Sequence, residues 1–239
     1  MKQTAVKKIV YWAKNVRARP FIRALERYAA GAVLDVGGRD FFVQVVRQPR
    51  IRFTSWTNLE KDASFLPAVR DARYREIIGD GCATPFKDAS FDTVVNSLVL
   101  EHTFEPVKMV QEIGRVLRPG GHALFLIPQT GVIHDIPENY YNFTRFWIEK
   151  AFQDAHLLII ELRPIGGRWT TTASHFVHFF LQAFRARGYS SRDYRRNVFF
   201  YLLFPLMALY ALVGVAVCMF LSLGDLKEEP NYHLVVTRK

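Results

Sequence analysis

Cysteine is scarce in this sequence: Cys82 and Cys218 are the only two. Two widely spaced thiols build neither a disulfide framework nor a zinc site, so the chain reads as a reduced, cytoplasm-facing protein with no metal expected. It has no internal repeat and no low-complexity linker, which argues against a solenoid or a string of tethered modules. The short run Ile9–Ala13 lacks the length of a signal peptide's apolar core, so no secretory leader is expected. Acidic residues are also in deficit: 22 Asp and Glu stand against 32 Lys and Arg, for a net charge of +10 and a pI near 9.7. Such an excess points to an anionic partner: nucleic acid, a phosphate-bearing substrate or an anionic membrane surface. The basic residues cluster beside apolar segments and no recognition motif accompanies them, so no nucleic-acid partner is expected.

Apolar residues, at 50% of 239, are ample for one globular domain with an appendage. Residues 1–30 read as a basic amphipathic helix. Val6, Ile9, Ala13 and Val16 recur at helical spacing, and Lys2, Lys7, Lys8, Lys14, Arg17, Arg19, Arg23 and Arg27 face a single acid, Glu26. It suits a solvated helix lying on the domain, or an interfacial helix drawn to anionic head groups. Strand-like and helical runs alternate through residues 31–167. Strands are expected at Ala32–Val36, Ile51–Leu59, Arg75–Gly79, Phe91–Ser97, His122–Ile127 and Leu157–Leu162, with helices at Phe104–Leu117, stopped by "RPGG", and Thr144–Gln153. The alternation implies an α/β fold with a parallel sheet.

"VLDVGGRD", residues Val33–Asp40, ends the first strand in a glycine turn. A strand, a glycine turn and a helix bring bare backbone N–H groups close to a ligand, although adjacent glycines serve equally well as a plain turn. Glu60 ends the next strand 25 residues after Asp35, the right order of distance for an acid that accepts from a ribose diol. Asp80 in "GDG" follows the third strand and is placed to grip an adenine edge.

The series "VLDVGGRD", "LEKD", "GDGCATPFKDASFDTVVNSLVLEH" and "EIGRVLRPGGHALFLIP" resembles the class I S-adenosylmethionine-dependent methyltransferases, of the small-domain type common in bacteria. "HDIPENYYNFTRFWIEKAF" is similar to a variant segment of that family, and "YHLVVTRK" to its last, antiparallel strand. The resemblance implies a Rossmann-like, mostly parallel seven-stranded sheet with an antiparallel last strand, and S-adenosyl-L-methionine as cofactor. It implies that Asp35, Gly37 and the Gly38 backbone cradle the methionine part, that Glu60 holds the ribose diol, that Asp80 and the Gly81 backbone read adenine, and that Asn96 lines the pocket near the sulfonium. The family's D/E-x-G-x-G-x-G is here D-V-G-G-R-D, with Arg39 and Asp40 in place of small residues, so another turn shape is expected. His102 and His134 are candidate bases for a hydroxyl acceptor, Asp135 an orienter of His134, and Tyr140 or Tyr141 a positioner. Each has a plainer role available, as a helix cap, a solvated loop residue or packing.

Val198–Leu223 holds no charged residue across 26 positions, long enough to cross a bilayer, and five arginines between 185 and 196 precede it. Yet if residues 231–239 form the last strand of the core sheet, both ends of the apolar segment must lie on one face. The expectation is therefore that residues 168–230 are a hydrophobic helical insertion, with an approach helix at Thr172–Arg187 and two half-helices broken at Pro205 and Gly214. Each half, about 20 Å long, would dip into one leaflet as a monotopic anchor on the cytoplasmic face. Buried packing on the core, a homodimer, and a single span with the final strand unpaired are the alternatives. The expected activity is methyl transfer to a membrane lipid or lipid-linked acceptor such as a sugar, quinone precursor or glycolipid. A non-catalytic cofactor-binding subunit and a nucleic-acid methyltransferase are the rival readings.

Overall fold

The computed structural model describes residues 19–185 and 195–239. Its frame is one seven-stranded sheet. The strands are β1 (Ala32–Val36), β2 (Ser55–Glu60), β3 (Tyr74–Ile78), β4 (Phe91–Ser97), β5 (Leu117–Pro128), β6 (Leu158–Ile165) and β7 (Tyr232–Arg238), in the spatial order β3-β2-β1-β4-β5-β7-β6. The first five pair in parallel, and β7 runs antiparallel between β5 and β6. The sheet is thus mostly parallel and Rossmann-like, with an antiparallel last strand.

Both faces of the sheet are covered, which is why its central strands are continuous apolar runs rather than alternating ones. Leu34, Val94, Phe125 and Val235 point to one layer, where they meet α3 (Pro106–Val116) and α4 (Arg145–Asp154). Val33, Val95, Leu124 and Val236 point to the other, where a helix over residues 19–28, here α1, and α2 (Phe41–Val45) cover them. The described part of the basic N-terminal segment is therefore a core element: Phe21, Ala24 and Leu25 are buried, while Arg19, Arg23 and Arg27 face solvent. The stripe Val6–Val16 and its lysines lie outside the described residues.

Most boundaries shift by one to three residues, and two differences are instructive. "RPGG" does not separate helix from strand: α3 ends at Val116 and β5 begins at Leu117, with Gly120 taking a φ of +80° inside the extended run. The second strand starts at Ser55 rather than Ile51, which is buried in the preceding loop.

The apolar insertion differs more. It is not two half-helices but one continuous helix, α6 (Val198–Leu221), of 24 residues and about 36 Å, with Pro205 inside it. Pro205 removes only one backbone donor, and Gly214 does not break the helix because it is a packing site. A Cβ there would fall 2.5 Å from the Phe176 ring on α5 (Arg168–Ala183). Phe176 meets Tyr210, and Phe179 and Phe184 meet Phe204, so α5 and α6 run antiparallel as a hairpin. Asp225, just past α6, accepts from the backbone N–H of Trp169 at 2.8 Å and of Thr170 at 3.1 Å, capping α5. The hairpin thus leaves and rejoins the sheet at one root. Among the described residues, the helix from Val198 to Gly224 is long and apolar enough to cross a membrane.

Candidate functional site

A cleft of about 1170 Å3 opens where the strand order reverses between β1 and β4, at the carboxyl ends of the strands. This is where open α/β sheets take their ligands, and the volume exceeds the roughly 300–1,000 Å3 of a single small-molecule site.

The glycine turn forms one wall. Gly37, at φ +71°, donates its N–H to the Leu59 carbonyl at 2.8 Å, which ties the turn to β2. Gly38 lies against the Asp35 carboxyl, and a Cβ on it would fall 2.1 Å from Asp35 Oδ2. Arg39 takes the left-handed region at φ 44°, and its N–H donates to Glu60 Oε1 at 3.0 Å. The departure from the usual glycine pattern therefore builds a turn of its own shape, closed on the acid at the end of β2. Gly81 faces the cleft floor, where a Cβ would meet Met109 and Val36 at 2.8 Å.

Of the residues expected to hold a cofactor, Gly37, Gly38, Glu60, Asp80 and Gly81 line the cleft. Asp35 and Asn96 do not: both are buried beneath its walls. Asp35 accepts from the Trp56 indole at 3.2 Å, and burial pushes its carboxyl up to about 8, with Glu60 adding to the rise. Asn96 turns its amide to Met109 Sδ at 3.5 Å, and its strand neighbour Ser97 takes the cleft wall instead. Burial also raises the Glu60 carboxyl, against the pull of the Arg39 N–H and guanidinium. An acidic rim at Glu60 and Asp80, with bare backbone at positions 37, 38 and 81, suits a ligand that offers hydroxyls and an amine.

The opposite wall is the loop after β5 and the 3-10 turn Leu100–His102. The Tyr140 N–H donates to the Glu101 carbonyl at 2.8 Å and ties the two together. His102 and His134 meet edge to face, with ring centroids 4.9 Å apart. Burial lowers the His102 imidazole. Tyr140 lines the cleft half-exposed, whereas Tyr141 donates to the Phe104 carbonyl and lies off the cleft wall. The Val132 carbonyl lies 2.9 Å from His134 Nδ1 and orients that ring, and Asp135 pairs with the Arg39 guanidinium across the cleft mouth at 3.0 Å. Lys61 and Glu138 make a second bridge at 3.0 Å.

Among the wall residues that the sequence does not single out, three bear on the chemistry of the site. Glu101, beside His102 in "LEH", is 1% exposed with neither carboxylate oxygen hydrogen-bonded, and burial pushes its pKa up to about 8. Ser174 and His178 of α5 also line the cleft, so it reaches the apolar hairpin. The adjacency of Glu101 to His102 was a signal available in the sequence; nothing local marked Ser174 or His178.

Residues 34–125 match the family model of a methyltransferase domain. The chain is 33% identical over 126 residues to an S-adenosylmethionine-dependent methyltransferase of Mycolicibacterium smegmatis, a match covering 49% of this chain and 46% of that one. It thus spans under half the length of that curated relative. Among solved structures, it is similar to a Haloferax volcanii methyltransferase in complex with the Trm112 methyltransferase activator, with a TM-score of 0.61 at 15% identity over 93% of this chain and 87% of that one. A geranyl diphosphate methyltransferase in complex with S-adenosylmethionine gives 0.54 at 12% identity, over 92% and 84% of the two chains. The domain match extends from β1 into β5, the stretch that carries the glycine turn, Glu60 and Asp80, and over that stretch the chain is similar to a methyltransferase domain.

Proposed function

We propose that this protein transfers a methyl group to a hydroxyl of a membrane-associated or lipid-linked acceptor, at the cytoplasmic face of a membrane. S-adenosylmethionine, when bound, would supply a sulfonium-borne methyl to an in-line nucleophile, the carbon–sulfur bond breaking to leave a neutral thioether. In this reading the Gly37–Gly38 backbone and Gly81 admit the cofactor closely, Glu60 accepts from its ribose hydroxyls and Asp80 from its adenine amine. Aligning the acceptor and excluding water are the protein's main contributions. The Arg39–Asp135 and Lys61–Glu138 bridges serve the second by holding the loop after β5 over the cleft. His102, His134 and Tyr140 face the acceptor, with the histidines managing its proton.

One observation carries the lipid assignment: the cleft is lined by Ser174 and His178, on the helix that packs against α6. On α6 only Ala211 and Cys218 are buried, whereas Phe199, Leu202, Leu206, Leu209, Leu212 and Phe220 are each at least 60% exposed. A continuous apolar surface of this kind marks a membrane or protein contact. Here it stands beside the cleft, so a substrate held by its tail in lipid reaches the site without leaving the bilayer surface.

The test offers methyl-labelled S-adenosylmethionine and purified protein to separated lipid and aqueous extracts. Label is expected in the organic-soluble fraction, together with co-sedimentation of the protein with anionic vesicles. Label confined to water-soluble products, or protein left in the supernatant, overturns the lipid assignment.

A further inference from the structure

We infer that Glu101, His102 and His134 bind a divalent transition-metal ion on the acceptor side of the cleft. Glu101 is the starting point. Its carboxyl is buried, lines the cleft, and has neither oxygen hydrogen-bonded. A buried acid is ordinarily paired, hydrogen-bonded or coordinated to a metal. Among the described residues no lysine or arginine forms a salt bridge with it, and Arg39, on the opposite wall, is engaged by Asp135.

Two imidazoles face the carboxyl instead. His102 Nδ1–H donates to the Glu138 carbonyl, which leaves Nε2 as the basic nitrogen, 4.0 Å from Glu101 Oε1. His134 is oriented in the same manner, with Nδ1 2.9 Å from the Val132 carbonyl. One ligand atom from each of the three residues lies within 4.8 Å of the others. Anchoring one imidazole nitrogen on a backbone carbonyl, so that the other meets the ion, is the usual outer support of a metal-bound histidine. Two ligands of a tetrahedral ion lie about 3.4 Å apart when each bond is about 2.1 Å, so the site closes by small side-chain rotations.

The donor set selects the ion. Two imidazoles and one carboxylate suit Zn2+, Fe2+ or Mn2+ better than Mg2+ or Ca2+, which prefer all-oxygen shells. Three protein ligands leave positions for an acceptor oxygen. With the ion in place the two histidines act on the acceptor's proton through the metal and not as free bases: coordination lowers the pKa of a bound hydroxyl, so its proton leaves to solvent. The oxygen then bonds to the methyl carbon as the carbon–sulfur bond breaks and sulfur keeps the electron pair. The ion's role rests on the methyl-transfer reading above; its binding does not.

The experiment uses the full chain in mild detergent, dialysed against a chelator, and titrated calorimetrically with Zn2+, Mn2+ and, as a control, Mg2+. One Zn2+ or Mn2+ per chain is expected, with affinity falling in Glu101→Gln and in His134→Asn by at least the roughly 10- to 100-fold that loss of a mere supporting partner of a ligand causes. Circular dichroism monitors the fold of Glu101→Gln, and His134→Asn, in a loop, supplies the second arm. Absence of stoichiometric Zn2+ or Mn2+ binding, or binding undiminished in both variants, overturns the site. S-adenosylhomocysteine titrated into the wild type separates the two readings. If it fails to bind while the metal binds one to one, the methyl-transfer reading falls and the metal site stands.

Discussion

The indole of Trp56, on β2, reaches beneath β1 and donates to Oδ2 of Asp35 at 3.2 Å, while Oδ1 of the same carboxyl has no partner. A fully buried acid with one neutral donor is kept protonated, and its pKa is pushed up to about 8. Because this value lies above that of the unfolded chain, the folded state binds the extra proton. The stability Asp35 contributes is therefore present at low pH and is lost as pH rises through about 8. Chemical denaturation between pH 6 and 9 is expected to show stability falling toward the alkaline end, with a shallower slope in Asp35→Asn, which keeps the shape and cannot ionise. An unchanged slope in that variant would place the ionisation elsewhere.

Gly38 is needed for space rather than for conformation, since the atom a side chain would add collides with Asp35. Gly38→Ala is expected to destabilise the fold by about 1–3 kcal/mol, the usual effect of overfilling a packed position. It should also weaken S-adenosylhomocysteine binding in calorimetry. The substitution to make beside it is Gly224→Ala, where nothing lies within 4 Å and binding should be unaffected.

Glu60 has one oxygen committed to the Arg39 N–H. The proposed ribose contact falls to the other, so Glu60→Gln trades a charged acceptor for a neutral amide. A hydrogen bond to a charged group is worth about 1.5–3 kcal/mol, so the dissociation constant of S-adenosylhomocysteine is expected to rise about 10- to 100-fold, with near-native thermal stability. Equal affinity in the two proteins would remove Glu60 from the cofactor site.

Leu212 stands on the outer face of α6 at 61% exposure. In water, Leu212→Lys is expected to change stability by no more than about 0.5 kcal/mol, as surface substitutions usually do. In a membrane, a lysine near the centre of an apolar helix costs about 2.5–3.5 kcal/mol. Vesicle co-sedimentation should therefore drop sharply while the solution fold persists. Retained vesicle binding would mean that this face of α6 does not meet lipid.

Much of the frame could be read from local pattern. The run Phe91–Ser97 is β4 to the residue, because a buried strand bounded by turn residues states its own ends. What failed depended on partners distant in the chain. Pro205 and Gly214 read as breaks, but α5 packs along α6 and uses Gly214 as the groove for Phe176. The Asn96 assignment missed by one residue, and in a strand one residue reverses the face, so Ser97 holds the cleft wall. The site was legible where it follows a strand directly, at Gly37, Glu60 and Asp80. It was illegible where a loop folds back, as when His134 reaches His102 and α5 brings Ser174 and His178 to the cleft. Arg39, an oddity in the glycine pattern, proved to be a double contact, with its backbone on Glu60 and its guanidinium on Asp135.

The placement of β7 has a consequence for biosynthesis. Residues 232–238 pair on both sides, with β5 and with β6, yet they leave the ribosome after both of those strands and after the hairpin. Until they pair, β5 and β6 lack the strand that lies between them and each presents an unsatisfied edge, while the apolar α6 precedes residues 232–238 in the chain. Any early capture of that hairpin, by a bilayer or by a chaperone, occurs on a half-assembled nascent chain. The last strand then acts as the latch whose insertion completes the sheet.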